Sequence, residues 1–286
     1  MTEPQTTTEL QDQPARYDLL AEGYARHWGP VIRPAAEALL DRLDDGLAAG
    51  EQVLDVGTGT GTLAVELLRR WPKASVTGID AAAAMLELAR RDATERLGSE
   101  LAGRFTTVIA DAASLPFESG RFDLAISSFV LQLVRSRVAA LREIRRALRP
   151  NGRLAWVTWL DGGERFRGDE VVDEVLADFG FDPPEPDGRS GDVASADAAA
   201  RVTRRAGFVG VAAEPGVLVH RWTPESYTEF IAQFDEQSTF DELEPRERRR
   251  VEDRLRGALS RLSPDELTIR LPIVYVTATA GAEARP

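Results

Sequence analysis

Three glycines stand two residues apart in Val53-Leu-Asp-Val-Gly-Thr-Gly-Thr-Gly61, directly after a short apolar run that contains one acid, Asp55. Glycine lets a backbone lie against a ligand with no Cβ in the way. In open α/β sheets, ligands bind at the carboxyl ends of strands, near the point where strand order reverses. A dinucleotide site wants G-x-G-x-x-G, with a diphosphate on the helix N-terminus. Here Gly57, Gly59 and Gly61 read G-x-G-x-G and position 62 is Thr. The Asp55 carboxylate points into the turn, where it repels a diphosphate and favours a ligand carrying a cation. The plainer alternative is a strand–helix turn in which Asp55 caps the helix. A second acid, Asp80, closes Val76-Thr-Gly-Ile-Asp80. An ionised carboxylate offers two acceptor oxygens, so Asp80 can take two hydroxyls, cap the helix from Ala81, or do both.

The elements that must position these residues alternate. Glu51–Val56 reads as a buried strand, Thr62–Trp71 as an amphipathic helix stopped by Pro72, and Ala74–Asp80 as a strand. A helix over Ala81–Leu97 and strands over Arg104–Ala110 and Phe122–Ser127 follow. Ser136–Leu148 is a helix, Pro150-Asn-Gly152 a turn and Arg153–Trp159 a fifth strand. This alternation implies βαβ units, a parallel sheet and helices on both faces. Residues 30–49 are helical, with Leu39, Leu40, Leu43 and Leu47 inward. Beyond the fifth strand the reading is a helix through Val171–Phe179, a loop over Asp182–Asp192 and a helix over Ala196–Ala206. Then come a strand over Gly207–Ala213, an additional edge strand over Val217–Trp222, helices over Pro224–Phe234 and Arg246–Leu262, and a final strand over Leu271–Thr279. Met1–Gln13 is expected to be mobile.

Composition narrows the chemistry. The chain has 286 residues, of which 43% are hydrophobic and 29% charged, enough to bury a full core. Asp and Glu total 47 against 35 Lys and Arg, a formal charge of −12 that disfavours general nucleic-acid binding. Cysteine is absent, which removes disulfides, Cys-ligated zinc and thiol nucleophiles. His27 and His220 are the only histidines, so no metal site is expected. No apolar run approaches a membrane span, and Met1–Pro14 has no signal-peptide character. The expected location is cytoplasmic. The Arg246–Arg250 cluster is interleaved with acids and reads as a solvated helix face.

The glycine turn and Asp55 resemble the first motif of the class I, Rossmann-like S-adenosylmethionine (SAM)-dependent methyltransferases. Val76–Asp80 is similar to their second motif, and Ala110-Asp-Ala112 with Leu115-Pro-Phe117 to their adenine-contacting motif. Phe122–Gln132 looks like their fourth strand and its loop. Leu141–Gly152 is similar to the helix and turn before their fifth strand. The motifs cover about residues 50–160. Among these families the chain most resembles small-molecule methyltransferases of the ubiquinone/menaquinone C-methyltransferase type. Tyr17-Asp-Leu-Leu-Ala-Glu-Gly-Tyr24 looks like that group's N-terminal segment, with Ala25 where an Asp is usual.

The resemblance implies SAM as cofactor, with S-adenosylhomocysteine (SAH) as product. Gly57, Thr58, Gly59 and Gly61 would admit its methionine and ribose, Asp55 would face the ammonium and Asp80 the ribose hydroxyls. Ala81, Met85 or Leu86, Asp111 and Ala112 would meet the adenine, and Ser127 would lend backbone nearby. Tyr17 and Tyr24 would close over the cofactor, though their spacing also suits ordinary helix packing. Gln132 would orient an acceptor, and His27 is the candidate general base. Surface and interfacial roles for these two are the alternatives. SN2 transfer is mostly a positioning problem, and an acceptor that is already acidic needs no base.

The expected fold is α/β, a doubly wound Rossmann-like seven-stranded sheet, mostly parallel, its antiparallel last strand inserted between neighbours, with a mainly helical cap. Residues 1–45 would form an N-terminal helical lid, 46–160 the SAM-binding core, and 161–286 the rest of the sheet with cap insertions at 161–192 and 215–265. Trp28, Trp159, Phe166, Phe179, Trp222, Tyr227, Phe230 and Phe234 would either line an aromatic-rich acceptor cavity or form ordinary core. A small-molecule acceptor (quinol, phenol, carboxylate or similar) is the expected partner, and a homodimer is open. The alternatives are a SAM/SAH-binding protein without turnover and an NAD(P)-dependent oxidoreductase. Position 62, Asp55 and the lack of a Tyr-x-x-x-Lys pair weigh against the latter. A protein or RNA methyltransferase is disfavoured because Ser127-Ser-Phe-Val-Leu replaces an Asn/Asp-Pro-Pro-Tyr/Phe motif.

Overall fold

The computed structural model describes residues 13–43, 46–181 and 192–282. The mobility expected of Met1–Gln13 falls outside them except at Gln13, as does the loop expected over Asp182–Asp192 except at Asp192.

Seven strands form one sheet: β1 (Gln52–Val56), β2 (Ser75–Asp80), β3 (Phe105–Ile109), β4 (Phe122–Ser128), β5 (Leu148–Trp159), β6 (Val209–Arg221) and β7 (Thr268–Thr279). Their order is β3-β2-β1-β4-β5-β7-β6. β7 runs antiparallel to both its neighbours, and the other strands are parallel. Strand order therefore reverses between β1 and β4, and the carboxyl ends of that pair are the expected ligand crevice.

Side chains alternate across a strand, and the two faces bury separate cores. Val53, Leu124, Val157 and Ile273 pack on one side with Leu39 and Leu40 of α2 (Gly29–Leu40) and Leu67 and Leu68 of α3 (Thr62–Arg70). Leu54, Ala125, Trp156 and Val274 pack on the other side with Leu141 and Ile144 of α5 (Arg137–Ala147). Each fully buried Leu or Ile contributes roughly 1.5–3 kcal/mol. α1 (Gln13–Gly23) leads through a π-helical turn, Tyr24–Trp28, into α2. α4 (Ala83–Ala102) bridges β2 and β3 and runs past the expected end at Leu97, with a break at Gly98. α6 (Arg167–Asp178) and α7 (Ala196–Arg205) precede β6. α8 (Pro224–Phe230), a second π turn (Ile231–Asp235), α9 (Gln237–Asp241) and α10 (Pro245–Leu259) precede β7.

One expectation needs correction. The strands expected at Gly207–Ala213 and Val217–Trp222 are one strand, β6, paired with β7 from Val209 to Arg221. Glu214-Pro-Gly216 reads locally as a break, but an edge strand tolerates proline because the missing N–H can face away from the ladder. Residues 215–221 therefore lie in the sheet rather than in a cap. Of the two readings of the eight aromatics, core is the one found. Trp222, Tyr227 and Phe230 are buried, and Trp28, Trp159, Phe166, Phe179 and Phe234 pack partly buried against them. Trp28 and Phe230 lie 5.6 Å apart between ring centroids, and Trp222 and Phe230 5.0 Å. Among the described residues no helix is long and apolar enough to cross a membrane, and no group of three or more His, Cys, Asp or Glu could hold a metal ion.

Candidate functional site

A cavity of about 570 Å³ opens at the carboxyl ends of β1, β2 and β4, within the size range of small-molecule sites. Asp55 and Asp80 border it from β1 and β2, Gly57–Thr60 from the glycine turn, Asp111–Ala113 from the loop after β3, and Ser128–Val130 from the end of β4.

The three glycines differ in what they do. All have positive φ, +69° at Gly57, +53° at Gly59 and +79° at Gly61, where L side chains are strained. A Cβ on Gly57 would fall 2.3 Å from a Val130 methyl, so the turn packs directly on the loop after β4. A Cβ on Gly61 would lie 3.1 Å from Ala89 Cβ, so this glycine sets how closely α3 approaches α4. Only Gly59 has open space where a Cβ would stand, beside the cavity.

The two acids are held by short-range donors. The Thr58 hydroxyl donates to Asp55 Oδ2 at 2.7 Å. The Gly59 N–H donates to Asp80 Oδ2 at 2.9 Å and the Ala82 N–H to Asp80 Oδ1 at 3.0 Å. Burial pushes the Asp55 carboxyl up to about 7; the Thr58 hydrogen bond opposes this and the Asp80 charge adds to it. Burial also raises Asp80, against the N–H groups of Ala82 and Gly59. Burial therefore makes ionisation of both acids costly, and a bound cation would relieve that cost. The phenol of Tyr24 is likewise raised, first by burial and then by the neighbouring Tyr17 and Asp80.

Tyr17 and Tyr24 border the cavity edge to face, 6.0 Å between ring centroids. Ala81, Met85 and Ala112 also border it. Asp111 does so while its Oδ1 accepts from the Ala113 N–H at 2.8 Å, the arrangement of a turn residue. Gly61 and Ser127 are not in the lining; the Ser127 hydroxyl donates to the Val56 carbonyl at 2.9 Å and ties β4 to β1. Its neighbour Ser128 is in the lining, with a buried hydroxyl that has no hydrogen-bond partner among the described residues.

His27 is not brought to the cavity. It lines a separate recess with Arg26, Gln233 and Arg248, its Nε2 3.3 Å from Gln233 Oε1. The π turn, with its i→i+5 bonding, carries His27 off the face that holds Tyr17 and Tyr24. His220 sits on edge strand β6 beside Trp222, and burial lowers its imidazole.

Gln132 is also absent from the lining, and both ends of its amide are engaged. Its Nε2 donates to the Phe129 carbonyl at 2.7 Å, and its Oε1 accepts from the Thr158 hydroxyl at 2.8 Å. Phe129 has φ +54°, a conformation costing roughly 1–3 kcal/mol outside glycine. Its N–H donates to the Val157 carbonyl at 2.9 Å, its ring stacks on Trp159 at 4.0 Å, and it lines the cavity. Gln132 thus braces a strained wall residue. Replacing the fully buried Thr158 with Val removes one donor at constant shape. The variant is expected to lose about 1.5 kcal/mol in urea unfolding, and unchanged stability would show that the brace carries nothing.

Sequence reasoning missed Ile32, Ala36 and the stretch Leu133–Ser136, all of which border the cavity. The rule of strand carboxyl ends, applied to β4, points to the loop after Ser128. Nothing in the sequence marks Ile32 or Ala36, which arrive from α2 by packing.

Residues 53–152 match the family model described as "Methyltransferase domain". A malonyl-[acyl-carrier protein] O-methyltransferase from Halorhodospira halophila is 32% identical over 191 residues, 61% of this chain and 62% of that protein. A ubiquinone/menaquinone biosynthesis C-methyltransferase from Citrifermentans bemidjiense is 35% identical over 144 residues, 49% and 56% of the two chains. The chain thus spans less than two thirds of the length of these curated relatives. Among solved structures, that of the [4+2]-cyclase SpnF superposes with a TM-score of 0.60 at 20% identity, covering 99% of this chain and 100% of that one. Such a likeness shows the fold, and one fold hosts several reactions. Over residues 53–152 the chain is thus similar to a methyltransferase domain, and the two curated relatives that it resembles are methyltransferases by name.

Proposed function

We propose that this protein is a SAM-dependent methyltransferase that transfers a methyl group to a small-molecule acceptor. One observation carries the reading: a buried carboxylate, Asp55, a half-buried one, Asp80, and an unobstructed glycine, Gly59, meet around one cavity at the switch point of the sheet. That donor set suits SAM, which brings a cationic ammonium, a sulfonium and a ribose diol. SAM, when bound, supplies a methyl group already activated by its sulfonium.

The chain's own residues bind and orient. Asp80, held by the N–H groups of Gly59 and Ala82, borders the cavity with acceptor capacity left for the ribose hydroxyls. Asp55 faces the ammonium. Asp111, Ala112 and Met85 hold the adenine, and Tyr17 and Tyr24 cover the site from the segment before β1, which acts as its lid. Phe129 and Val130 separate the cofactor from the acceptor. Among the described cavity-lining residues there is no His, Glu or Lys, and the raised Tyr24 phenol cannot serve as a base at neutral pH. This favours acceptors that arrive ionised. The absence of cysteine is in keeping with a cytoplasmic location.

Calorimetric titration with SAM, SAH and NADH tests the reading. SAM and SAH are expected to bind with micromolar affinity and NADH not at all. Release of SAH over a panel of carboxylates, phenols and quinols separates an enzyme from a binding protein. Binding of NADH in preference to SAM would overturn the proposal.

A further inference from the structure

The charges around the cavity are sorted along the sheet. Asp111 follows β3, Asp80 closes β2 and Asp55 sits in β1, so the acids occupy three consecutive strands on one side of the switch point. On the other side, the loop after β4 contributes Phe129, Val130, Leu133 and Val134, and then Arg135. Arg135 is the only basic residue among the described residues of the lining. It is exposed, and no ion pair or hydrogen bond engages it among the described residues. The next residue, Ser136, accepts from the Ala139 N–H and caps α5, which fixes the point where the loop must end. The protein as a whole carries a formal charge of −12, so an anion approaching this cavity needs a local cation.

Resting on the methyltransferase reading of this cavity, we propose that Arg135 binds an anionic group of the acceptor, and that the acceptors are small organic anions with an apolar body. The acids of β1 to β3 face the cationic end of the cofactor. The apolar loop residues take the body of the acceptor, and the guanidinium takes its charge. Guanidinium matches carboxylate geometry with two parallel donors.

The test uses the full chain saturated with SAH, titrated calorimetrically near neutral pH with octanoate and octanamide, and with benzoate and benzamide. Within a pair the shape is nearly constant and only the charge differs. At least one acid is expected to bind ~10-fold more tightly than its amide, a difference of ~1.4 kcal/mol. In Arg135→Gln that ratio is expected to fall below ~2-fold, with SAH affinity and the far-UV spectrum unchanged, because Arg135 touches neither core. The wild-type preference is also expected to shrink in high salt, as an exposed charge contact must. Equal binding of acid and amide, no binding of either acid, or a preference that survives Arg135→Gln would each overturn the assignment. Failure of the wild type to bind SAH would instead overturn the methyltransferase reading, so the two failures are distinguishable.

Discussion

Asp80→Ala is expected to weaken SAM binding by ~100-fold or more while the protein remains folded. The carboxylate closes β2, accepts the Gly59 N–H on one oxygen and the Ala82 N–H on the other, and still borders the cavity. A hydrogen bond to a charged group contributes roughly 1.5–3 kcal/mol. Losing two to the ribose diol, with partial replacement by water, leaves ~3 kcal/mol, which is the ~100-fold. The cost to the fold is smaller, because Gly59 and Ala82 lie at the cavity wall and water can reach the N–H groups left behind. Calorimetry with SAM, beside near-UV circular dichroism, checks both halves. Undiminished SAM affinity in a folded variant would refute the role of Asp80.

The second large effect concerns Asp55, and it runs opposite ways in stability and binding. Burial raises its carboxyl from 3.8 in the unfolded reference to about 7 in the folded protein. Below pH ~4 both states are protonated and the group costs nothing. Between the two values the unfolded chain ionises first, so stability falls as pH rises. Above about 7 the loss is complete, at ~4 kcal/mol. Asp55→Asn removes that loss and keeps an acceptor for the Thr58 hydroxyl, but leaves an amide N–H₂ to satisfy at ~1–3 kcal/mol. The variant is therefore expected to be more stable than wild type by ~2 kcal/mol near pH 8, a rise in Tm of ~4 °C or more. Near pH 4 the sign should reverse, the variant being less stable than wild type by ~2 kcal/mol, because only the cost of the amide remains. SAM affinity should drop in the same variant, since the ammonium loses its counter-charge. In the wild type, SAM binding below pH 7 should release a proton, read from the dependence of binding enthalpy on buffer ionisation. A pH-independent stability difference, or SAM binding without proton release, would show that Asp55 is ionised in the empty cavity.

Part of the cavity lining was legible in the chain because it is local. Gly57, Gly59 and Gly61 all have positive φ within one turn, and Asp55, next to last in β1, and Asp80, last in β2, lie in adjacent parallel strands that pair Asp55 with Gly78. These are consequences of strand period, glycine chemistry and one helix of spacing. The acceptor half was not legible, for the opposite reason. Gln132 and Thr158 meet across 26 positions, and a Gly57 Cβ would strike Val130, far along the chain, because β1 and β4 are neighbours. Helical periodicity assigns Ile32 and Ala36 an inward face, and it cannot say whether that face meets core or cavity.

By itself, the sequence determined that a mostly parallel α/β sheet would carry a glycine turn with an acid before it and a second acid closing the next strand, because backbone conformation, side-chain alternation and strand-to-strand spacing act over short distances. The count of seven strands came from the family resemblance. Only the tertiary structure decided that the cap aromatics fill core, that β6 runs unbroken through Pro215, and that a π turn carries His27 away while Arg135 stands alone at the mouth. Those outcomes depend on which distant surfaces the reversal of strand order brings face to face, and packing across that gap has no signature in local spacing.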